Sequence, residues 1–421
     1  MAESGKKKSK RAEAVENIEL SSKNISKRMI IFVLLLGVGI TAFGYALYLA
    51  LSTEKGWKKI EANTTSELNC SEDFVFLYNI GHSGNSATAE NKLITNLYSE
   101  TTEFAYQIFT TDQGYDDLYN VYYINEHPNE EIVVEDVLYD AFSLVQEYEN
   151  REIYLAPIYM HYDDIFYAKE DYETADFDPY VNEEVADYYA EVSSYAKNQE
   201  AVDIQLLGDN KIKLHVSDEY LQYASENSIT NFIDFNWMKN AFIIDYIADV
   251  MIDNGYRFGT ISSFDGFSRN LDDSGESFSF NIFDKMDQSI YTAAVMEYKG
   301  AQSIVYLRNY IMNSLDIKQY CQMDNGEVRT SYLDVNDGKC KSAINNMVSY
   351  SKSAACAEIL LNISPVYIAD TFQEERINQL TESDIYSIYC MDYVIYYNDS
   401  EINLANIYKT EEVVYTACYK K

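Results

Sequence analysis

The sequence is poor in several residue types, and each scarcity argues against a class of structure. Only 4 of the 421 residues are proline, which argues against a proline-rich stalk. No Cys-x-x-Cys pair occurs, which disfavours a zinc ribbon or a thioredoxin-like site. With 4 histidines in the chain, we interpret His161, Asp163 and Asp164 as a solvated polar turn rather than as metal ligands.

Positive charge is also scarce. The chain has 32 Lys and Arg against 68 Asp and Glu, a net charge of −36, and because residues 1–28 carry +4 the remainder carries −40. Such a field repels nucleic acid and anionic lipid head groups, so we expect neither as a binding partner. It also opposes phosphate ligands unless a metal ion or a local basic pocket offsets it.

An apolar segment near the N-terminus is long enough to cross a membrane. Residues 29–51 contain no charged side chain and span about 35 Å as a helix, enough for a ~30 Å hydrocarbon core. Eight Lys and Arg precede the segment, so the positive-inside rule predicts a cytoplasmic tail at 1–28 and an extracytoplasmic domain anchored in the lipid bilayer of the cell membrane. A cleaved signal peptide is the alternative, although the apolar run is longer than is usual there.

The cysteines leave two interpretations open. All six lie after the apolar segment, and a disulfide between Cys321 and Cys340 would close a short loop. Buried thiols are the other interpretation, because a free cysteine behaves as a small apolar side chain.

Residues 52–72 read as a polar linker and residues 73–421 as a folded domain of the α+β class. Apolar periodicity predicts helices over 90–108, 133–148, 183–197 and 239–254. Alternating apolar residues on both sides of Gly208-Asp209-Asn210 predict a β-hairpin, and strands are predicted near 386–397 and 413–418. The pattern indicates a mixed or mainly antiparallel sheet packed with helices.

Four segments carry a pattern of motifs. Asp117-Leu118-Tyr119 precedes Ile124-Asn125, and residues 233–245 read Ile-Asp-Phe-Asn-Trp-Met-Lys-Asn-Ala-Phe-Ile-Ile-Asp. Residues 331–338 read Ser-Tyr-Leu-Asp-Val-Asn-Asp-Gly, and residues 357–362 read Ala-Glu-Ile-Leu-Leu-Asn. In order and spacing these segments resemble the FAD:protein FMN transferases, also called ApbE-like flavin transferases.

The resemblance implies a T-fold-type domain that takes FAD and Mg²⁺ and transfers FMN to a threonine of a flavin-acceptor protein. It implies FAD contacts from Asp234, Asn240, Phe242, Asp265, Gly266 and Tyr310. It implies Mg²⁺ ligands from Glu358, Asn362 and the backbone carbonyl of Lys239, and catalytic positions at Ser331 and Asp334, the latter ordering the active-site loop.

Several positions depart from the family pattern. The glycine pair of the family is Asn236-Trp237 here, its lysine is Asn240 and its histidine is Ser331. Two hypotheses therefore stay open: a working transferase, or a flavin-binding or scaffold protein on the same fold without catalysis. A surface adhesin on an unrelated fold has no motif in its favour.

Overall fold

The computed structural model describes residues 53–64, 72–168 and 171–420. The predicted basic tail (1–28) and membrane helix (29–51) lie outside these ranges, as does Cys70. Within the ranges, no helix has both the length and the apolar content that a bilayer crossing requires.

The strands form four sheets in the described part of the chain. Their bounds are β1 (Gly56–Ile60), β2 (Phe74–Ile80), β3 (Glu131–Val133), β4 (Val202–Gly208), β5 (Lys211–Val216), β6 (Gly259–Ser263), β7 (Phe267–Asn270), β8 (Ser277–Met286), β9 (Ser289–Lys299), β10 (Gln302–Arg308), β11 (Tyr320–Gln322), β12 (Val328–Thr330), β13 (Asn346–Ser351), β14 (Tyr386–Met391), β15 (Val394–Tyr397), β16 (Asn403–Ala405) and β17 (Thr416–Tyr419).

The largest sheet has nine strands in the order β1-β2-β6-β7-β10-β13-β14-β15-β17. Its neighbours are antiparallel except β15 and β17, which are parallel, so the predicted α+β class with a mixed, mainly antiparallel sheet is confirmed. The smaller sheets are β16-β9-β8, β3-β5-β4 and β11-β12. The predicted hairpin is β4–β5, with Asp209 and Asn210 in the left-handed conformation at its turn.

Part of the segment predicted as a linker belongs to the large sheet. Gly56–Ile60 forms β1 and pairs along its length with β2, from Gly56 opposite Ile80 to Ile60 opposite Phe76. Ile60 is buried, because alternate residues of an edge strand still face the core. The strand has only five residues and two of them are lysines, so its sequence does not show the apolar alternation typical of a strand.

The α-helices of the described residues are α1 (Ala87–Phe109), α2 (Val121–Glu126), α3 (Asp136–Glu147), α4 (Ala156–Tyr162), α5 (Asp171–Thr174), α6 (Glu183–Lys197), α7 (Asp218–Glu226), α8 (Lys239–Asp253), α9 (Cys356–Tyr367) and α10 (Glu374–Gln379). The helices predicted over 90–108, 133–148, 183–197 and 239–254 are α1, α3, α6 and α8, and each begins and ends within about three residues of its predicted bounds. Side-chain caps fix several starts: Ser86, Asn182 and Ser217 each accept a hydrogen bond from a backbone N–H of the first turn. Gly255 follows α8 at φ +83°, the left-handed conformation that ends many helices.

Two apolar cores lie on the two faces of the large sheet. Helices α1, α8 and α9 cover one face and form the larger core with it. The sheet β16-β9-β8 covers the other face at β10, β13 and β14 and forms a smaller core around Ile282, Met296, Ile304 and Val348. Cys340 is a free, buried thiol, so the Cys321–Cys340 disulfide is not formed.

Candidate functional site

The segments that carry the resemblance pack on one another. The side chain of Asp245 on α8 accepts hydrogen bonds from the backbone N–H groups of Cys356 (2.9 Å) and Ala357 (2.7 Å), which open α9. The Trp237 indole contacts the Tyr332 ring edge-on, with centroids 4.9 Å apart. Stretches near residues 237, 332 and 357 therefore share one part of the helix-side core.

Asn236, which stands where the resemblance has its first glycine, adopts a left-handed backbone conformation. Its φ is +41°, and asparagine is among the few residues other than glycine that tolerate this region. The backbone N–H of Asn236 donates to Asp234 Oδ1 (2.7 Å), and its side-chain amide donates to Asp163 Oδ2 (2.8 Å). Asp163 is thus half-buried in a 3₁₀ turn rather than solvated, and burial raises its pKa to about 7.

Trp237 fills the position at which the resemblance has its second glycine. The side chain is only 3% exposed and packs in the larger core against Tyr332, which in turn contacts the rings of Tyr320 and Tyr367. A glycine lets a ligand approach the backbone closely, whereas an indole occupies that space with its own atoms.

Asn240 and Asp265 are brought together, but by a bond to each other. The Asn240 amide donates to Asp265 Oδ2 (2.8 Å), and both side chains are buried. Burial raises the pKa of Asp265 to about 6. Phe242 is also buried, with ring contacts to Phe109 and Phe235 at centroid distances of 6.0 and 4.9 Å. These three predicted FAD contacts are therefore engaged inside the protein.

Lys239 begins α8 beside several acidic groups. Its ammonium lies 5.0 Å from the centre of the Tyr106 ring. Burial lowers the pKa of Lys239, but nearby Tyr106, Asp234 and Asp112 raise it by more than burial lowers it. The net pKa is therefore raised and the side chain is charged. Because Lys239 is the first residue of a regular helix, its backbone carbonyl accepts an intrahelical hydrogen bond instead of pointing to open space.

Gly266 and Tyr310 are structural neighbours of one residue, Tyr306. Gly266 has φ +107°, and a Cβ there would collide with the Tyr306 carbonyl oxygen, so glycine is required for chain packing alone. The Tyr310 hydroxyl lies 2.7 Å from the Tyr306 hydroxyl in the protein interior, and burial raises the pKa of Tyr310.

Ser331 and Asp334 lie at the start of a tightly bonded loop. Ser331 is 2% exposed, and its hydroxyl is buried without a hydrogen-bond partner in the described residues. Asp334 accepts from the Asn336 backbone N–H (2.9 Å) and from the Lys341 ammonium (2.9 Å). Lys341 also pairs with Asp337 and Asp370, so one cation is shared by three carboxylates. Asp334 therefore orders its loop.

Glu358 and Asn362 lie together, one turn apart on α9. The Tyr148 hydroxyl donates to Glu358 Oε1 (3.0 Å), and the Asn362 amide donates to the Glu358 backbone carbonyl (2.9 Å). Both residues are half-buried. The pair is thus close enough to share a ligand, but its nearest partner in the structure is a tyrosine hydroxyl.

Two further carboxyl groups are buried against α9. Asp245 caps α9 and forms an ion pair with Arg269 (2.8 Å). Glu152 is 6% exposed and accepts from the Ser364 hydroxyl (2.8 Å), and burial raises its pKa to about 7. Asp245 was visible as a match in the motif, whereas nothing around Glu152 in the sequence marks it as buried.

FAD and Mg²⁺ do not fit the residues present at this site. An indole fills the glycine position, and the Lys341 ammonium is already shared by three carboxylates, while the Lys239 ammonium lies over the Tyr106 ring. The carbonyl of Lys239 is used within α8, which leaves Glu358 and Asn362, and the Glu358 carboxylate is bonded to the Tyr148 hydroxyl. Across residues 53–64, 72–168 and 171–420, no group of three or more His, Cys, Asp or Glu is arranged to hold a metal ion.

Comparison with known proteins identifies the fold. No protein-family model matches the sequence, and no curated protein matches it either. The solved structure of the ApbE protein of Thermotoga maritima matches with a TM-score of 0.56 at 10% identity, over 83% of this chain and 97% of the other. The flavin transferase ApbE of Vibrio cholerae matches with a TM-score of 0.53 at 10% identity, over 84% and 98%. The resemblance inferred from the motifs is therefore confirmed for the fold: this chain has the fold of the ApbE flavin transferases.

Proposed function

We propose that this chain is a non-catalytic binding protein on the flavin-transferase fold, anchored in a membrane by residues 29–51. The observation that carries the proposal is the burial of Trp237 where the resemblance has glycine. Cofactor sites are concave and largely preformed, and this one is filled by a side chain of the protein itself.

The remaining residues of the site support the same proposal. Transfer of FMN needs a base or activated group beside the reacting phosphate, and Ser331, which stands at the histidine position, cannot act as a base near neutral pH without activation. It is also buried with no proton acceptor among the described residues.

The alternative of a working transferase has a direct test. The purified full-length chain is incubated with FAD, Mg²⁺ and a flavin-acceptor domain, with the Vibrio cholerae enzyme as the positive control. We expect neither AMP release nor labelling of the acceptor by this chain. AMP release above the level of a no-protein control would overturn the proposal.

Flavin binding without cleavage is tested at the site itself. The chain has two tryptophans, and Trp57 is 46% exposed, so the variant Trp57→Phe leaves Trp237 as the only indole emitter. FAD absorbs light and lowers the emission of any tryptophan in the sample, and the variant Trp237→Phe, which keeps only Trp57, measures this loss. We expect FAD to lower the emission of Trp57→Phe by the same fraction and no more. Selective quenching of Trp237 would show that FAD enters the site.

A further inference from the structure

A cavity lies between the large sheet and the sheet β16-β9-β8. Its volume is about 910 Å³, and its lining includes Gln302 on β10, Tyr350 on β13 and Tyr298 on β9. Gln302 is the first residue of β10. Tyr306, whose backbone N–H donates to the Gly266 carbonyl, lies four residues later on the same strand, about 13 Å from Gln302. The cavity is thus at the opposite end of β10 from the candidate flavin site.

Gln302 supplies an unused hydrogen-bond donor in the wall of this cavity. The residue is 3% exposed, and its side-chain nitrogen has no acceptor in the described part of the chain. Its side chain lies on the same face of β10 as Ile304 and Tyr306, which face the three-stranded sheet. Buried donors are almost always paired in folded proteins, so this amide is suited to an acceptor oxygen brought by a ligand.

The charged groups of the lining select against anions. Glu297, Asp384, Asp399 and Glu401 line the cavity together with two cations, Lys299 and Lys352. Two of the carboxylates are held in place, since Asp399 accepts from the Tyr350 hydroxyl (3.1 Å) and Glu297 accepts from the Asn403 amide (2.5 Å). The excess of carboxylates in a strongly acidic protein repels phosphates, nucleotides and acidic peptides.

We propose that this cavity binds a neutral oligosaccharide. Each sugar hydroxyl both donates and accepts, which matches a lining that mixes carboxylates, amides, serine hydroxyls and the unused Gln302 donor. Tyrosine rings offer apolar faces to the C–H faces of a sugar ring and a hydroxyl to its oxygens. Four of them line the cavity: Tyr298, Tyr350, Tyr386 and Tyr419. The volume lies within the range of small-molecule sites, and the polar lining disfavours a purely apolar ligand.

The proposal goes beyond the loss of FMN transfer and does not depend on it, because it concerns the other end of β10. The test is calorimetric titration of the purified full-length chain with maltotriose, cellotriose and triacetylchitotriose. The variant Gln302→Met keeps the volume and removes the donor, and Gln322→Met, at an exposed residue of β11, is the matched control.

We expect at least one trisaccharide to bind, with affinity about tenfold weaker in Gln302→Met and unchanged in Gln322→Met. Without ligand, Gln302→Met should raise the Tm by about 1–4 °C, because it removes an unpaired buried donor. This gain also shows that the variant is folded. The proposal is overturned if no trisaccharide binds, if both variants bind equally well, or if an uncharged blocked trialanine peptide binds through Gln302 in place of the sugars.

Discussion

Removing the carboxylate of Asp245 should destabilise this protein more than removing any neighbouring surface charge. Asp245 is 9% exposed and holds the start of α9 through the N–H groups of Cys356 and Ala357. It also pairs with Arg269, whose side chain is 15% exposed. The variant Asp245→Ala leaves two helix-end N–H groups and a largely buried guanidinium without this partner.

The size of the effect follows from these contacts. Removing one partner of a buried ion pair costs about 3–5 kcal/mol, and the loss of a helix cap costs about 0.5–2 kcal/mol. The two terms share one side chain and do not add, so we expect about 4 kcal/mol for Asp245→Ala. Asp245→Asn keeps an acceptor for one N–H group and should cost about 2–3 kcal/mol. These are large fractions of the ~5–15 kcal/mol that stabilises a typical domain.

Asp249 provides the matched control, because it also faces Arg269. Its carboxylate lies 3.5 Å from the guanidinium and its side chain is 66% exposed, so Asp249→Asn should cost at most about 1 kcal/mol. The assay is urea unfolding of the full-length chain followed by the emission of the buried Trp237, with equal m values required for comparison. Equal losses, within about 0.5 kcal/mol, in Asp245→Asn and Asp249→Asn would refute the reasoning. A double variant with Arg269→Met should recover part of the cost of Asp245→Asn.

Three further predictions concern single groups. The pKa of Glu152 is about 7 in the folded state and 4.5 ordinarily, so between pH 4.5 and 7 the folded state binds more protons than the unfolded state. The stability that this group contributes is therefore lost as the pH rises from 4.5 to about 7. Glu152→Gln should abolish this loss of about 3 kcal/mol, measured by urea unfolding at several pH values. Gly338→Ala should lower the free energy of unfolding by about 2–4 kcal/mol, because φ of Gly338 is +71° and an added Cβ would press on the core. Gly326→Ala is the control: φ of Gly326 is +88°, but an added Cβ would meet open space, so the cost should be about 1–2 kcal/mol. Similar costs for the two variants would contradict the packing argument. Tyr148→Phe should cost about 1 kcal/mol through the lost bond to Glu358, and an unchanged Tm would show that this bond contributes nothing.

The local structure was predictable wherever short-range chemistry determines it. The helix at 183–197 was predicted to the residue, because Asn182 caps its first turn and its apolar positions repeat at helical spacing. The β4–β5 hairpin followed from the Gly208-Asp209-Asn210 turn. The edge strand β1 was missed because it is short and lysine-rich, and its pairing with β2 lies about twenty residues further along the chain.

The candidate site was predictable only in its coarse placement. The order of the motifs predicts that the segments near residues 237, 332 and 357 lie in one region, and the structure places them there. The state of the site depends on side-chain direction, which spacing along a sequence does not give. Trp237 is turned into the core, and the Asn240 amide binds Oδ2 of Asp265, whereas Oδ1 of Asp265 is buried without a partner in the described residues. A helix pattern is the same whether such residues face a pocket or the core.

The motif residues that remain in this chain share a physical role, and those that are replaced share another. Asp234, Asp245 and Asp334 each accept a hydrogen bond from a backbone N–H group, and Gly338 adopts a left-handed conformation, so each is needed for the chain to fold. The replaced positions include the glycine pair, the lysine and the histidine, which the resemblance places at the cofactor site. It places Asp234 and Asp334 there too, but these two also hold the backbone and are retained. Loss of a folding residue would cost stability whatever the protein binds, whereas loss of a cofactor contact costs nothing once the cofactor is not used. This division is what a fold kept without its original chemistry would show, and it agrees with a site that the protein fills with its own tryptophan.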